Sequence, residues 1–192
     1  MTTPESAPAP VHVLGISGSL RKGSLNTALL RAAAELLPPA MTLSIADISA
    51  IPVFNSDLMT DGFPAPVEDL RRRIAEADAI LFSSPEYNFS ISSPLKNAID
   101  WASRPPNQPL AAKPAAIMGA SPSGLGTGRA QMHLRQVFVF LDVHPVNKPE
   151  VLVSRAHEKF DAEGRLTDEP TRKIVGELLV SLEAWTRRLR GR

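Results

Sequence analysis

The chain has 192 residues, of which 43% are hydrophobic, with a formal net charge of +1 and no cysteine. That length suits one compact domain, and that composition lies far from the disordered class. The lack of cysteine excludes disulfides, thiolate metal sites, iron–sulfur clusters and a cysteine nucleophile, while dispersed, nearly balanced charge points to no nucleic-acid and no membrane partner.

The first ten residues, Met1-Thr-Thr-Pro-Glu-Ser-Ala-Pro-Ala-Pro10, lack the basic and apolar regions of a signal peptide. They read as a disordered tail before a single domain over residues 11–192. No apolar run is long enough to span a bilayer, so a cytoplasmic protein is expected. His12, His133, His144 and His157 are scattered without metal-ligand spacing and read as structural or surface residues.

Val11–Ser17 (VHVLGIS) is apolar and β-branched, as suits a central parallel strand buried on both faces. Gly15-Ile-Ser-Gly-Ser-Leu-Arg-Lys-Gly-Ser-Leu-Asn26 carries that strand into a helix with small residues, hydroxyls and two cations in one turn. The first N–H groups of a helix have no intrahelical partner, and the dipole favours negative charge there, so such a loop suits an anion. Leu25, Ala28, Leu29, Ala32, Ala33, Leu36 and Leu37 then repeat at helical spacing until Pro38-Pro39. Thr42–Asp47 alternates as an edge strand does, and residues 48–62 form a loop of little pattern.

Pro64-Ala-Pro66 opens a second helix with Val67, Leu70, Ile74 and Ala77 inward. Arg71, Arg72 and Arg73 mostly lie off that face and read first as solvated. Ala79–Ser84 is a third strand, broken by Pro85-Glu-Tyr-Asn88. Ser93 then reads as an N-cap with Pro94 at the first helical position, and Pro105-Pro106 end that helix. Pro114–Ala120 is a fourth strand, followed by a second glycine-rich loop, Ser121-Pro-Ser-Gly-Leu-Gly-Thr-Gly128.

The next helix carries Ala130, Leu134, Val137, Phe138 and Leu141 as one stripe. Met132, Val139 and Phe140 exceed what one stripe needs. Burial against another subunit is the favoured reading, and deeper burial in the same chain is the alternative. Val143 starts a fifth strand region, interrupted and resumed at Val151–Val153; residues 154–166 are an excursion with turn chemistry at Asp161 to Gly164. Ile174, Val175, Leu178, Leu179, Leu182, Trp185 and Leu189 mark a last helix.

Strand and helix thus alternate about five times, the pattern of an α/β, doubly wound parallel sheet with helices on both faces. Right-handed crossovers would bring the loops at 17–26, 84–92 and 121–128 to one sheet edge, where ligands bind at the topological switch point.

Familiar motifs fit poorly. Gly18 to Gly23 has the glycine spacing of a nucleoside-triphosphate loop, but Ser24-Leu25 stands where Lys-[Ser/Thr] is needed. The dinucleotide G-x-G-x-x-G is absent after the first strand, and Gly124, Gly126 and Gly128 are wrongly spaced for it. The hydrolase elbow G-x-S-x-G fails because Ser19 occupies the last glycine position. A loop rich in neutral donors with one bidentate-capable cation suits a terminal monophosphate, and flavin mononucleotide fits that description. A cap and tight turn alone is the bland alternative for the first loop.

The motifs Gly-x-Ser-Gly-Ser-x-Arg-x-x-Ser-x-Asn (15–26), Ser-Pro-Glu-Tyr-Asn (84–88), Ser-x-x-x-Lys-Asn-Ala-Ile-Asp-Trp (92–101) and the Ser121 loop resemble the NAD(P)H-dependent FMN reductases, and within them the chromate and quinone reductases with azoreductase-like relatives. The resemblance spans about residues 11–190. It implies a flavodoxin-like fold with five-stranded order 2-1-3-4-5, bound FMN, and homodimers or homotetramers. It implies that Ser17, Ser19, Arg21, Ser24, Leu25, Asn26 and Thr27 hold the phosphate. Pro85, Glu86, Tyr87 and Asn88, with Ser121 and Gly124, would line the ring and ribityl chain. Hydride would pass in two steps from NAD(P)H through the flavin to a small-molecule acceptor (quinone, chromate, azo compound or free flavin), with no catalytic side chain required. Arg104 or Arg129 could meet a nicotinamide 2′-phosphate, and each reads equally well as a surface charge. The competing reading is an FMN electron carrier without NAD(P)H turnover.

Overall fold

The computed structural model describes residues 9–191; all but the last two residues of the expected N-terminal tail lie outside them. Thirteen regular elements follow in chain order: β1 (Val11–Ser17), α1 (Leu25–Glu35), β2 (Met41–Ala46), α2 (Ala65–Glu76), β3 (Ala79–Ser83), β4 (Glu86–Tyr87), β5 (Ser90–Ile91), α3 (Ser93–Ala102), β6 (Pro114–Ala120), α4 (Gly128–Leu141), β7 (His144–Pro145), β8 (Val151–Val153) and α5 (Glu169–Leu189). The main sheet is parallel, in the order β2-β1-β3-β6, with β7 and β8 both pairing β6 on its far side. The interrupted fifth strand of the sequence reading is therefore two short strands at two levels of one position. The expected order 2-1-3-4-5 is the one observed.

The strands build two cores by simple alternation. Val11 and Val13, Ala79 and Leu81, and Ala116 and Met118 face α1 and α5. Leu14 and Ile16, Ile80 and Phe82, and Ala115 and Ile117 face α2, α3 and α4. With both faces covered, the central strands read as nearly unbroken apolar runs. Gly15 marks where α1 comes closest to the sheet: a Cβ there would lie 3.1 Å from Leu30 Cδ2.

The arginine run departs from its sequence reading. Only Arg72 is solvated, paired with Asp69 and Glu76. Arg73 reaches the carbonyl of Ile45. Arg71 is 8% exposed and donates to the carbonyls of Trp101, Ala102, Arg104, Pro106 and Asn107, so that one guanidinium ends α3 and holds the segment after it. Its stem crosses the Phe63 ring, 4.0 Å from guanidinium carbon to centroid, and burial pulls its pKa down. A helical wheel places Arg71 off the apolar stripe. It cannot show that a neighbouring helix ends there with its carbonyls unpaired.

The loop at 48–62 is also anchored. Asn97 accepts from Phe54 N and donates to Pro52 O, Trp101 Nε1 donates to the same carbonyl, and Phe54 meets the Trp101 ring edge-on at 4.8 Å. Asn97 and Trp101, both inside the 92–101 motif, therefore serve this loop. On α4, Met132, Val139 and Phe140 are 58%, 84% and 87% exposed, which overturns deeper burial within the same chain. No helix among the described residues is long and apolar enough to cross a membrane.

Arg71→Ala leaves a set of interior carbonyls without donors. We expect a stability loss of about 3 kcal/mol, read as a lower urea midpoint, with unchanged flavin affinity per folded molecule.

Candidate functional site

The three loops singled out by sequence leave the sheet at the same edge. Ser17 is level with Ser83, and Ser83 with Met118, so β1, β3 and β6 end within about one turn of chain of each other. The ladder continues one step into the loops: Gly18 N donates to Ser83 O at 2.8 Å, Ser84 N to Met118 O at 3.1 Å and Ser121 N to Val153 O at 3.0 Å.

The first loop is wound on its own hydroxyls. Ser24 caps α1, its Oγ accepting from Thr27 N at 3.2 Å. Ser17 Oγ and Thr27 Oγ1 are 2.8 Å apart, and Ser19 N donates to Ser17 Oγ at 3.3 Å. The N–H groups of Leu25 and Asn26, in the first turn of α1, have no carbonyl four residues back within the helix. Arg21 and Lys22 lie exposed at the loop's tip. The donor set around this turn is neutral N–H and O–H groups plus a guanidinium, with no carboxylate from the loop itself, and it fits a phosphate monoester.

Asn26 differs from its neighbours in this set. It is 3% exposed and reaches the far side of the switch point. Its Oδ1 accepts from Ala120 N at 2.9 Å and from Ser83 Oγ at 3.2 Å, and its Nδ2 donates to Ala120 O at 2.9 Å.

The second loop is more ordered than a strand break. Glu86–Tyr87 and Ser90–Ile91 form a short antiparallel hairpin turned by Asn88 and Phe89, both at positive φ (50° and 63°). This matches the two-residue turn that suits hairpin twist. Glu86 Oε2 accepts from Ala130 N at 3.0 Å, so its carboxylate satisfies one open donor of the first turn of α4 and staples the hairpin there. Pro85 is buried beneath the hairpin, while Tyr87 and Asn88 are exposed along it. α3 begins one residue earlier than expected, with Ser92 at the N-cap position; its Oγ makes no cap and instead donates to Gly18 O at 2.5 Å, tying the second loop to the first. Gly18 is obligatory at this junction, since a Cβ would stand 2.7 Å from Ser92 Oγ.

The third loop folds on Ser121 and Ser123. Ser121 Oγ bonds Ser123 Oγ at 3.1 Å, and Ser123 Oγ donates to Gly126 O at 3.2 Å. Gly126 has φ +61° and backs onto Leu152, where a Cβ would stand 2.9 Å from the carbonyl carbon. Gly124 is exposed with open space where a side chain would be. Buried Gln131 spans Thr127 Oγ1 and Val151 O, fixing α4 to β8. Gly119, just below, admits no Cβ because Thr127 and the Ser84 carbonyl occupy that space.

The edge therefore gathers Ser17, Ser19, Arg21, Ser24, Leu25, Asn26 and Thr27 from one loop, Pro85 to Asn88 from the second, and Ser121 and Gly124 from the third. Arg129 also arrives, its guanidinium 3.9 Å from the Phe89 centroid and 3.7 Å from Glu86. Arg104 does not: it binds Asp100 O and Ser103 Oγ at the C-terminal end of α3. Sequence reading missed Ser92, Gln131 and Gly119, whose functions depend on partners distant in the chain. The glycine spacing and the Ser-rich entry to α3 were the available signals.

A doubly wound parallel sheet in this order, with its loops gathered at the carboxyl ends of the strands, is a flavodoxin-like fold. Residues 11–158 match the family model of NADPH-dependent FMN reductases, and the chain belongs to that family. It is an oxidoreductase of the FMN- and NAD(P)H-using kind. It is 58% identical over 181 residues to an NAD(P)H-dependent FMN reductase of Pseudomonas aeruginosa, covering 94% of this chain and 98% of that one. It is 52% identical over 188 residues to an NADPH:quinone oxidoreductase of Arabidopsis thaliana, covering 95% of each. Among solved structures, the flavoenzyme NAD(P)H:(acceptor) oxidoreductase FerB from Paracoccus denitrificans superimposes with a TM-score of 0.85 at 35% identity, over 93% of this chain and 98% of that one.

Gly119→Ala forces Thr127 and Ser84 apart at the root of two site loops. We expect a stability loss of about 2 kcal/mol or more, measured by chemical denaturation, and a lower bound-flavin content in the folded fraction. Gly124→Ala, which meets open space, is expected to leave stability within about 0.5 kcal/mol of the parent.

Proposed function

We propose that this protein takes hydride from NAD(P)H through FMN and passes it to a quinone in two separate half-reactions, with chromate, azo compounds and free flavin as secondary acceptors. The carrying observation is the loop at 17–27: a helix N-terminus, a serine–threonine hydroxyl pair and an exposed arginine converge there. The names borne by the Arabidopsis and Pseudomonas relatives support the quinone and nicotinamide parts of this reading.

When bound, FMN supplies the hydride chemistry. This chain's residues supply position. Ser17, Ser19, Arg21, Ser24 and Thr27, with the N–H groups of Leu25 and Asn26, hold the phosphate. Pro85, the hairpin backbone at Glu86, Tyr87 and Asn88, and the Ser121–Gly124 turn would hold the ring, with Gly124 allowing close approach of backbone. Glu86 acts through its grip on α4. No side chain at the site is aligned as an acid–base pair, which suits a reaction whose acceptor needs only an open stacking face.

The homo-oligomer is part of the same reading. Met132, Val139 and Phe140 form an unpartnered stripe on α4, which begins at the site. Burial against a second copy would bring that copy near the flavin. In the rival electron-carrier reading NAD(P)H is not a substrate.

Anaerobic mixing of the yellow protein with NADPH is expected to bleach the flavin rapidly, and added benzoquinone to restore it; a flavin that stays oxidised identifies the carrier. Parallel initial-rate lines at varied NADPH and quinone are the expected steady-state pattern. Val139→Glu combined with Phe140→Glu is expected to reduce the solution mass by half or more in light scattering without lowering secondary-structure content.

A further inference from the structure

We propose that the Asn26 side chain is a positioning group of the flavin site and not a ligand of the phosphate: its amide takes the place that β3 vacates beside β6 and thereby sets the spacing of the two loops on either side of the ring. The inference rests on the flavin reading above.

The geometry leads there directly. β3 and β6 pair as far as Ser83 and Met118. β3 then leaves the sheet at Ser84-Pro85, whereas β6 continues to Ala120 against β8. Ala120 therefore has a strand partner on the β8 side only. Its own N–H and C=O point to the side that β3 has vacated, and both are buried beside the end of β3. The Asn26 side chain meets this need with one acceptor for Ala120 N, one donor for Ala120 O, and the same acceptor oxygen shared with Ser83 Oγ. A carboxamide is a peptide group without its chain, so it can complete a parallel ladder in place of a backbone. All of these bonds are buried, which makes losing them costly.

Those contacts spend most of the amide's capacity on Ala120 and Ser83. One N–H of Nδ2 is held by Ala120 O, the residue is 3% exposed, and Oδ1 is an acceptor that would repel an anion. The residues it joins are the last of β3 and β6, immediately before Ser84-Pro85-Glu86 and Ser121. Asn26 itself sits in the first turn of α1. It therefore links the phosphate loop to both ring loops at once. Neither ring loop can move against the other without breaking one of its bonds.

The test separates ring from phosphate. The full chain is stripped of flavin, and wild type, Asn26→Ala, Asn26→Asp, Ser83→Ala and Arg21→Ala are titrated with FMN and with riboflavin, which has the ring but no phosphate. Asn26→Ala is expected to weaken both flavins by a common factor, roughly tenfold, keeping the FMN-to-riboflavin ratio within about twofold of wild type. It should also shift the visible absorption band and the two-electron potential of the bound flavin. Asn26→Asp keeps the acceptor for Ala120 N but buries a carboxylate oxygen against Ala120 O in the anion loop, so a larger loss than for Asn26→Ala is expected, and a greater one for FMN than for riboflavin. Arg21→Ala is expected to lose roughly tenfold in FMN affinity alone. If Asn26→Ala does not fold by circular dichroism, Ser83→Ala, which removes one bond of the set, carries the same expectation at roughly threefold.

A selective loss of FMN over riboflavin in Asn26→Ala or Ser83→Ala would make the Asn26 side chain a phosphate ligand and overturn the proposal. So would unchanged affinities together with an unchanged potential. Wild type that binds neither flavin would overturn the flavin reading, and this inference with it.

Discussion

A strand buried on both faces has to satisfy its backbone polar groups all the way to its end. Within the sheet this is automatic. At the C-terminal edge it is not, because β1, β3 and β6 stop while the apolar layers of α1 and α3 still cover them. The structure answers with side chains that imitate backbone or cap it. Asn26 completes Ala120, Ser92 covers the Gly18 carbonyl, and Gln131 covers Val151. Each of these lies in or beside a loop of the candidate site. The site is shaped by groups that first answer the hydrogen-bonding demand of the sheet, and its rigidity follows from their being buried.

The opposite end of the sheet shows the same demand met with charge. Lys113 donates to the carbonyls of Ala75 and Ala77 at the end of α2, and burial lowers its pKa. Arg71 does the like for the end of α3. Cations suit helix C-termini and would be misplaced at the ligand edge, where the waiting groups are N–H donors at helix starts. The division leaves Arg21 and Arg129 as exposed guanidiniums at the ligand edge, against interior cations at the other.

Most of the fold was legible because the chain alternates so regularly. Val11–Ser17 and Pro114–Ala120 are strands with the bounds that their apolar runs announce, and the broken fifth strand was visible as a gap between Val143 and Val151. The hairpin at 86–91 was not legible. Asn88-Phe89 lacks the glycine that usually marks such a turn, and its strands are two residues each. The burial of Arg71 and the Ala120 partners of Asn26 went unread for one reason. Both are polar residues whose partners are backbone atoms some thirty and ninety positions away, and local pattern carries no trace of such partners. Ser17, Ser24 and Thr27 were legible as a group because their partners are one another.

The arrangement also bears on how the loop at 17–27 would hold a phosphate mostly through neutral donors, with Arg21 and Lys22 exposed at its tip. A phosphate bound by cations alone is held by position in a field, and its tether can swing. Here the hydroxyls of Ser17 and Thr27 already restrain each other, Ser24 fixes the first turn of α1, and that helix is packed on the sheet at Gly15. Little ordering remains to be done when an anion arrives, so modest neutral donors suffice. The same economy explains the wall on the other side. Glu86 could have been a free carboxylate facing a ring that becomes electron-rich on reduction, where it would repel charge. Its engagement with Ala130 N and the nearby Arg129 turns it toward α4 and would leave the hairpin backbone to face the ring of the proposed flavin. An edge built in this way binds by shape and by N–H groups, and a stacking face of that kind selects for flat electron acceptors more than for any one of them.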